Sequence, residues 1–139
     1  MCGRSCGDPE VGGLVDLWQN QAGRFREHPP DGETAAERVQ SIISRAMRGA
    51  LREPRRTAAL ITASSSPDPA VRDCQAQIME IMDRVLRDAM SDVEDDRRGR
   101  IAVTLRQVWF SWLLNWVNGW NDAATVDEEI SSSINLLLG

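Results

Sequence analysis

The chain has 139 residues, enough for one ordinary domain that buries about two-thirds of the surface its unfolded form exposes, with no room for a second. Hydrophobic residues make up 42% and charged residues 27%, close to globular averages, which excludes a disordered tail or a fibrous repeat. Basic residues number 16 against 21 acidic ones, a net charge of −5 that repels a phosphate backbone and makes the sequence as it stands a poor nucleic-acid binder.

All 16 basic residues are Arg, which we read as a codon bias rather than as repeated demands for guanidinium chemistry. The most apolar stretch, Val108 to Val117, is interrupted by Ser111 and Asn115 and falls well short of the roughly 20 apolar residues a bilayer span needs, so no membrane partner is implied. Three cysteines, Cys2, Cys6 and Cys74, are an odd number. Cys74 falls on an apolar helical stripe, where a free thiol acts as a small hydrophobe, and a reducing, cytoplasmic setting fits. The opening Met-Cys-Gly-Arg-Ser-Cys-Gly lacks the apolar core of a secretory signal.

Residues 1–13 hold four glycines and a proline with no apolar period and read as a flexible N-terminal segment, leaving 14–139 as the domain. Leu14, Val15, Leu17, Trp18, Ala22 and Phe25 recur at helical spacing up to the turn His28-Pro29-Pro30-Asp31-Gly32, which predicts a first helix. Thr34 followed by Glu37 is a capping box, and Val39, Ile42, Ile43, Ala46, Met47, Ala50 and Leu51 keep one face of a second helix until Pro54. A short third helix runs from about Arg55 to Ala63. Ser66 or Asp68 caps the fourth, whose stripe is Val71, Cys74, Ile78, Ile81, Met82, Val85, Leu86 and Ala89.

The charged run Glu94 to Arg100 reads as a solvated connection and the first turn of helix five. Helix five, over 101–120, carries one apolar stripe of Ile101, Leu105, Val108, Trp112 and Trp116 and a second on nearly the opposite side, Val103, Phe110, Leu114 and Val117. A helix so apolar on two flanks cannot lie on the surface of a monomer. A last helix, about Thr125 to Leu138, is capped by Thr125 with Glu128 and aligns Val126, Ile130, Ile134 and Leu137. Two such helices suit a four-helix bundle with a second copy, so a homodimer is inferred. With no strand alternation or hairpin signal, the class is all-α with about six helices.

Catalysis needs a nucleophile beside a base or two facing carboxylates, and the sole histidine, His28, sits in a Pro-rich turn, so no catalytic residue is assigned. Four zinc ligands are not available in any recognisable spacing, so no metal and no cofactor is assigned. Trp109, Trp112, Trp116 and Trp120 suit core or interface packing, and with Met47, Met79 and Met82 they also suit the wall of an apolar cavity. Both readings hold for different residues.

The stretch Glu33-Thr34-Ala35-Ala36-Glu37-Arg38-Val39, the phrase Arg52-Glu53-Pro54-Arg55-Arg56-Thr57, the segment Gln107 to Val117 and the terminal Leu136-Leu137-Leu138-Gly139 resemble the regulatory domain of TetR-family transcriptional regulators. They are nearest to the actinobacterial branch that represses cholesterol and steroid catabolism. The resemblance spans roughly residues 11–139. It implies a C-terminal effector-sensing bundle dimerising through the last two helices, which binds a hydrophobic, steroid-like or acyl-CoA-like molecule to control DNA binding by the full-length form. The family's N-terminal helix-turn-helix and its Tyr-x-x-Phe-x-x-Lys phrase are not found in this sequence, so DNA is a partner only of a longer form.

By family position the effector pocket is expected at Trp18, Met47, Leu51, Ile78, Met82, Trp109 and Leu113. The dimer face is expected at Phe110, Leu114, Val117, Val126, Ile130, Ile134 and Leu137, with the two faces of helix five interchangeable. The competing reading is a helical protein–protein interaction module without a small-molecule ligand.

Overall fold

A computed structural model describes residues 19–20, 23–64 and 67–139, whose backbone is helical or irregular without a strand. Residues 23–27 are helical, and five bounded helices follow: α1 Ala35–Arg52, α2 Pro54–Ser64, α3 Pro69–Ala89, α4 Asp95–Val117 and α5 Ala123–Leu138. This is the all-α architecture that the sequence predicts. Residues 14–18 of the first predicted helix lie outside the described residues.

The start of α1 is fixed by side chains. Thr34 Oγ1 accepts from the Glu37 N–H at 3.2 Å, and the Glu37 carboxylate accepts from the Glu33 N–H at 2.8 Å, so two donors at the helix start are satisfied reciprocally. Gly32 just before it has φ +135°, and a Cβ there would run into the Glu37 Cβ, so only glycine fits. The buried stripe of α1 is Ala35, Val39, Ile42, Ile43 and Met47. Pro54 occupies the first position of α2, where a missing N–H is harmless. The buried Thr57 closes the junction, its hydroxyl reaching the Ala50 carbonyl at 2.9 Å and the Glu53 carbonyl at 3.1 Å.

Two helix starts differ from the sequence expectation. Helix α4 begins at Asp95, because the Glu94 carboxylate accepts from the N–H groups of Asp96 and Arg97 at 3.2 and 3.3 Å. The acidic first turn favours the positive end of the helix dipole, and Arg100 pairs with Asp96 one turn on. Of the two roles expected of the charged run, the helix start holds from Asp95 onward and the connection is confined to what precedes it. Helix α5 begins at Ala123, capped by Asp122 rather than Thr125, with Asp122 Oδ1 accepting from the Thr125 N–H at 2.8 Å.

Helix α4 also stops earlier than predicted. Gly119, at φ +74°, donates to the Trp116 carbonyl at 3.0 Å while Trp120 donates to the Asn115 carbonyl at 2.9 Å, the paired bonds of a Schellman ending. Trp120, expected within the helix, lies beyond it and is 71% exposed.

Helix α4 is central, packing against α2, α3 and α5, while α1 packs against α3 and α5. Its Ile101, Leu105, Trp109, Trp112 and Leu113 are buried, whereas Phe110, Leu114 and Val117 are half-buried and Val103 is exposed. One flank is thus covered by the subunit and the other is partly open. Polar staples hold the helix ends: Arg97 Nη2 donates to the Leu137 carbonyl at 2.9 Å, joining the start of α4 to the end of α5.

Cys74 is fully buried and disulfide-bonded. It is not the free thiol that its place on an apolar helical stripe suggests. Among the described residues no helix is long and apolar enough to cross a membrane.

Candidate functional site

Helical spacing brings two short rows of side chains face to face between α3 and α4. Gln75, Ile78, Met79 and Met82 stand three and four residues apart on α3, and Gln107, Trp109, Phe110 and Leu113 face them from α4. Together they line a half-open cavity of about 210 Å³. Six of the eight lining residues are apolar. Among the described lining residues Gln75 and Gln107 supply the amide side chains beside the Trp109 indole, and no carboxylate or cation is among them.

Four residues expected at the pocket, Ile78, Met82, Trp109 and Leu113, meet in this cavity. Met47 is buried on the core face of α1 and Leu51 is half-buried near its end, and neither lines the cavity. Trp18 lies outside the described residues. Phe110, expected on the dimer face, lines the cavity instead. Gln75 and Gln107 went unassigned because an amide on a polar strip gives no periodic signal. Met79 belongs to the methionine set that suits an apolar wall, although it was not among the expected pocket residues.

The expected dimer face also divides. Val126, Ile130 and Ile134 are at most 1% exposed in the single subunit and have no surface left for a second copy. Their stripe completes the subunit's own core, since α5 packs on α1 and α4. Leu114, Val117 and Leu137 remain half-buried, and the neighbouring Leu136 is 87% exposed.

The described lining offers apolar surface to bury and hydrogen bonds from two neutral amides. Among the described residues no three His, Cys, Asp or Glu side chains are placed to hold a metal ion. The perturbed carboxyls lie elsewhere. Asp122 is held below the usual range by the backbone N–H of Thr125, and Asp92 by the hydrogen bond from Arg38.

Comparison with known proteins places the chain. Residues 32–137 match the family described as tetracyclin repressor-like, C-terminal domain. Over 111 residues the chain is 31% identical to the HTH-type transcriptional repressor KstR of Rhodococcus jostii (strain RHA1), covering 79% of this chain and 52% of that protein. The chain therefore spans about half the length of this curated relative. The crystal structure of a TetR transcriptional regulator from Rhodococcus sp. RHA1 superposes with a TM-score of 0.80 at 22% identity, over 98% of this chain and 75% of that one, which shows a shared fold. With most of its helices inside the matched segment, the chain belongs to the tetracyclin repressor-like C-terminal domain family.

Proposed function

We propose that the domain senses an apolar small molecule in the cavity between α3 and α4, pairs with a second copy through the open flank of α4 and the end of α5, and so controls DNA binding by a longer form. The observation that carries this reading is the apolar cavity itself, with Gln75 and Gln107 as its polar liners. The lining suits part of a largely hydrocarbon, steroid-like or acyl-chain molecule with one neutral hydrogen-bonding group, because no cation is among the described lining residues to neutralise a buried carboxylate. The thioethers of Met79 and Met82 adapt to the shape of the guest.

Pairing is supported by the apolar side chains that the subunit leaves open on α4 and α5: Val103, Leu114, Val117, Leu136 and Leu137. The match to a repressor over about half its length supports a regulatory role in which guest binding repositions the elements that connect to a DNA reader. Native mass spectrometry of the purified chain tests both parts together. The mass of two chains with a retained apolar guest supports the proposal, and single empty chains that also refuse added steroid refute it.

A second reading has one observation in its favour. The cavity, at about 210 Å³, is below the roughly 300–1,000 Å³ of drug-sized sites, which suits a helical interaction module that uses the same open flank without a ligand. Saturable binding of a steroid ketone by the isolated domain excludes that reading.

A further inference from the structure

A second concavity, sharing no residue with the first, lies between α1 and the helical stretch before it. Arg45, Arg48, Gly49 and Arg52 from α1 and Arg24, Phe25 and His28 from the preceding segment line a cavity of about 340 Å³. Among the described residues that line this space there is no carboxylate.

Arg45, Arg48 and Arg52 recur at three- and four-residue spacing on one face of α1, where like charges destabilise a helix. Arg24, Arg48 and Arg52 have no carboxylate partner among the described residues. Arg45 is set in place: its guanidinium lies 5.2 Å from the Phe25 ring centroid, donates to the His28 carbonyl at 3.1 Å and stands 3.7 Å from the exposed Asp31 carboxylate. Gly49 between the arginines adds no side chain to the wall.

Guanidinium forks match phosphate oxygens in pairs, and four arginines lining one concave space match a compact group bearing two or more negative charges, although Arg45 is already engaged and Arg48 Nε donates to the Ser44 carbonyl at 3.4 Å. We propose that this pocket binds a small ligand through a di- or triphosphate group. A concave site of this volume fits a small molecule, whereas duplex DNA is read by an extended basic surface on a chain of favourable net charge, and this chain carries −5. The site would give the domain a second, polar input alongside the apolar one.

Isothermal titration of the full 139-residue chain with inorganic pyrophosphate, in a phosphate-free buffer of fixed ionic strength, tests the proposal. Saturable binding of one pyrophosphate per chain is expected. The double variant Arg48→Gln/Arg52→Gln is expected to weaken it at least tenfold and to abolish any rise in thermal midpoint on adding pyrophosphate, while Arg100→Gln on the distant start of α4 leaves both unchanged. Absence of saturable binding overturns the proposal. So does equal weakening by Arg100→Gln, which would mark diffuse ion association, and so does a duplex oligonucleotide that binds through Arg48 and Arg52 while pyrophosphate does not.

Discussion

The guanidinium of Arg38, on α1, and the carboxylate of Asp92, just past the end of α3, meet at 2.6 Å. From the same side chain Nε donates to the Ala89 carbonyl at 2.8 Å and Nη1 to the Glu33 carbonyl at 3.0 Å. One arginine thereby caps the end of α3, braces the turn before α1 and holds the two helices together. Replacing it with Met, which keeps part of the aliphatic stem, should cost about 2 kcal/mol by loss of hydrogen bonds to a charged group, read from urea unfolding.

The same pair makes stability depend on pH. The hydrogen bond from Arg38, and next the backbone N–H of Asp92 itself, hold the Asp92 carboxyl below the usual carboxylate range. A folded-state value below the unfolded one gives stability that is fully present above about pH 5 and is lost as pH falls through and below the ordinary carboxylate range. Asp92→Asn should therefore lower the melting temperature at pH 7, and the gap from the parent should close on acidification towards pH 3.

Two glycines predict changes of opposite sign. Gly119 has φ +74° with open space around an added Cβ, so Gly119→Ala should cost about 1 kcal/mol through backbone conformation alone. Gly99 is inside α4, where an added Cβ meets only the end of the Arg87 side chain, at 3.1 Å. The guanidinium can yield by a few tenths of an ångström, and Gly99→Ala should stabilise by about 0.5 kcal/mol through helix propensity. Chemical denaturation of the two variants side by side checks both signs.

Open and closed parts of the expected dimer face should respond differently to charge. Leu114→Arg/Val117→Arg alters half-buried positions on the open flank of α4 and should convert a dimer to a folded monomer in sedimentation velocity. Ile130→Arg places an unpaired charge where the side chain is 1% exposed and should unfold the subunit outright. Dissociation without unfolding in the Ile130 variant would contradict this division.

Cavity chemistry gives a further prediction. Gln75→Leu or Gln107→Leu should weaken a steroid ketone about tenfold, the worth of one hydrogen bond of roughly 1.4 kcal/mol. A hydrocarbon guest lacking the carbonyl should be retained. Fluorescence titration of each variant against both guests separates the two effects.

Much of the fold is legible in the sequence because it is written in local signals. Thr34 with Glu37, Pro54 and the apolar stripes of α1 and α3 each announce an element whose bounds the structure reproduces closely. The start of α4 is placed only loosely because Glu94 to Arg100 also has the composition of a solvated loop, while the cap made by Glu94 and the Arg100–Asp96 pair exist only once the helix forms. Which partner covers a stripe is less legible still. Periodicity marks Val126, Ile130 and Ile134 as buried but does not say whether the cover comes from α1 or from another chain. Gln75 and Gln107 acquire meaning only when the packing of α3 on α4 brings them to one cavity.

The central claim is that an apolar guest enters between α3 and α4, and the methionines report on it directly. Met79 and Met82 line the cavity, whereas Met90 is buried outside it. In a methyl-methionine NMR titration with a neutral steroid ketone, the account predicts saturable shifts of the Met79 and Met82 methyl signals with Met90 unmoved. Still signals for Met79 and Met82 at saturating guest, or equal drift of all three, would contradict it.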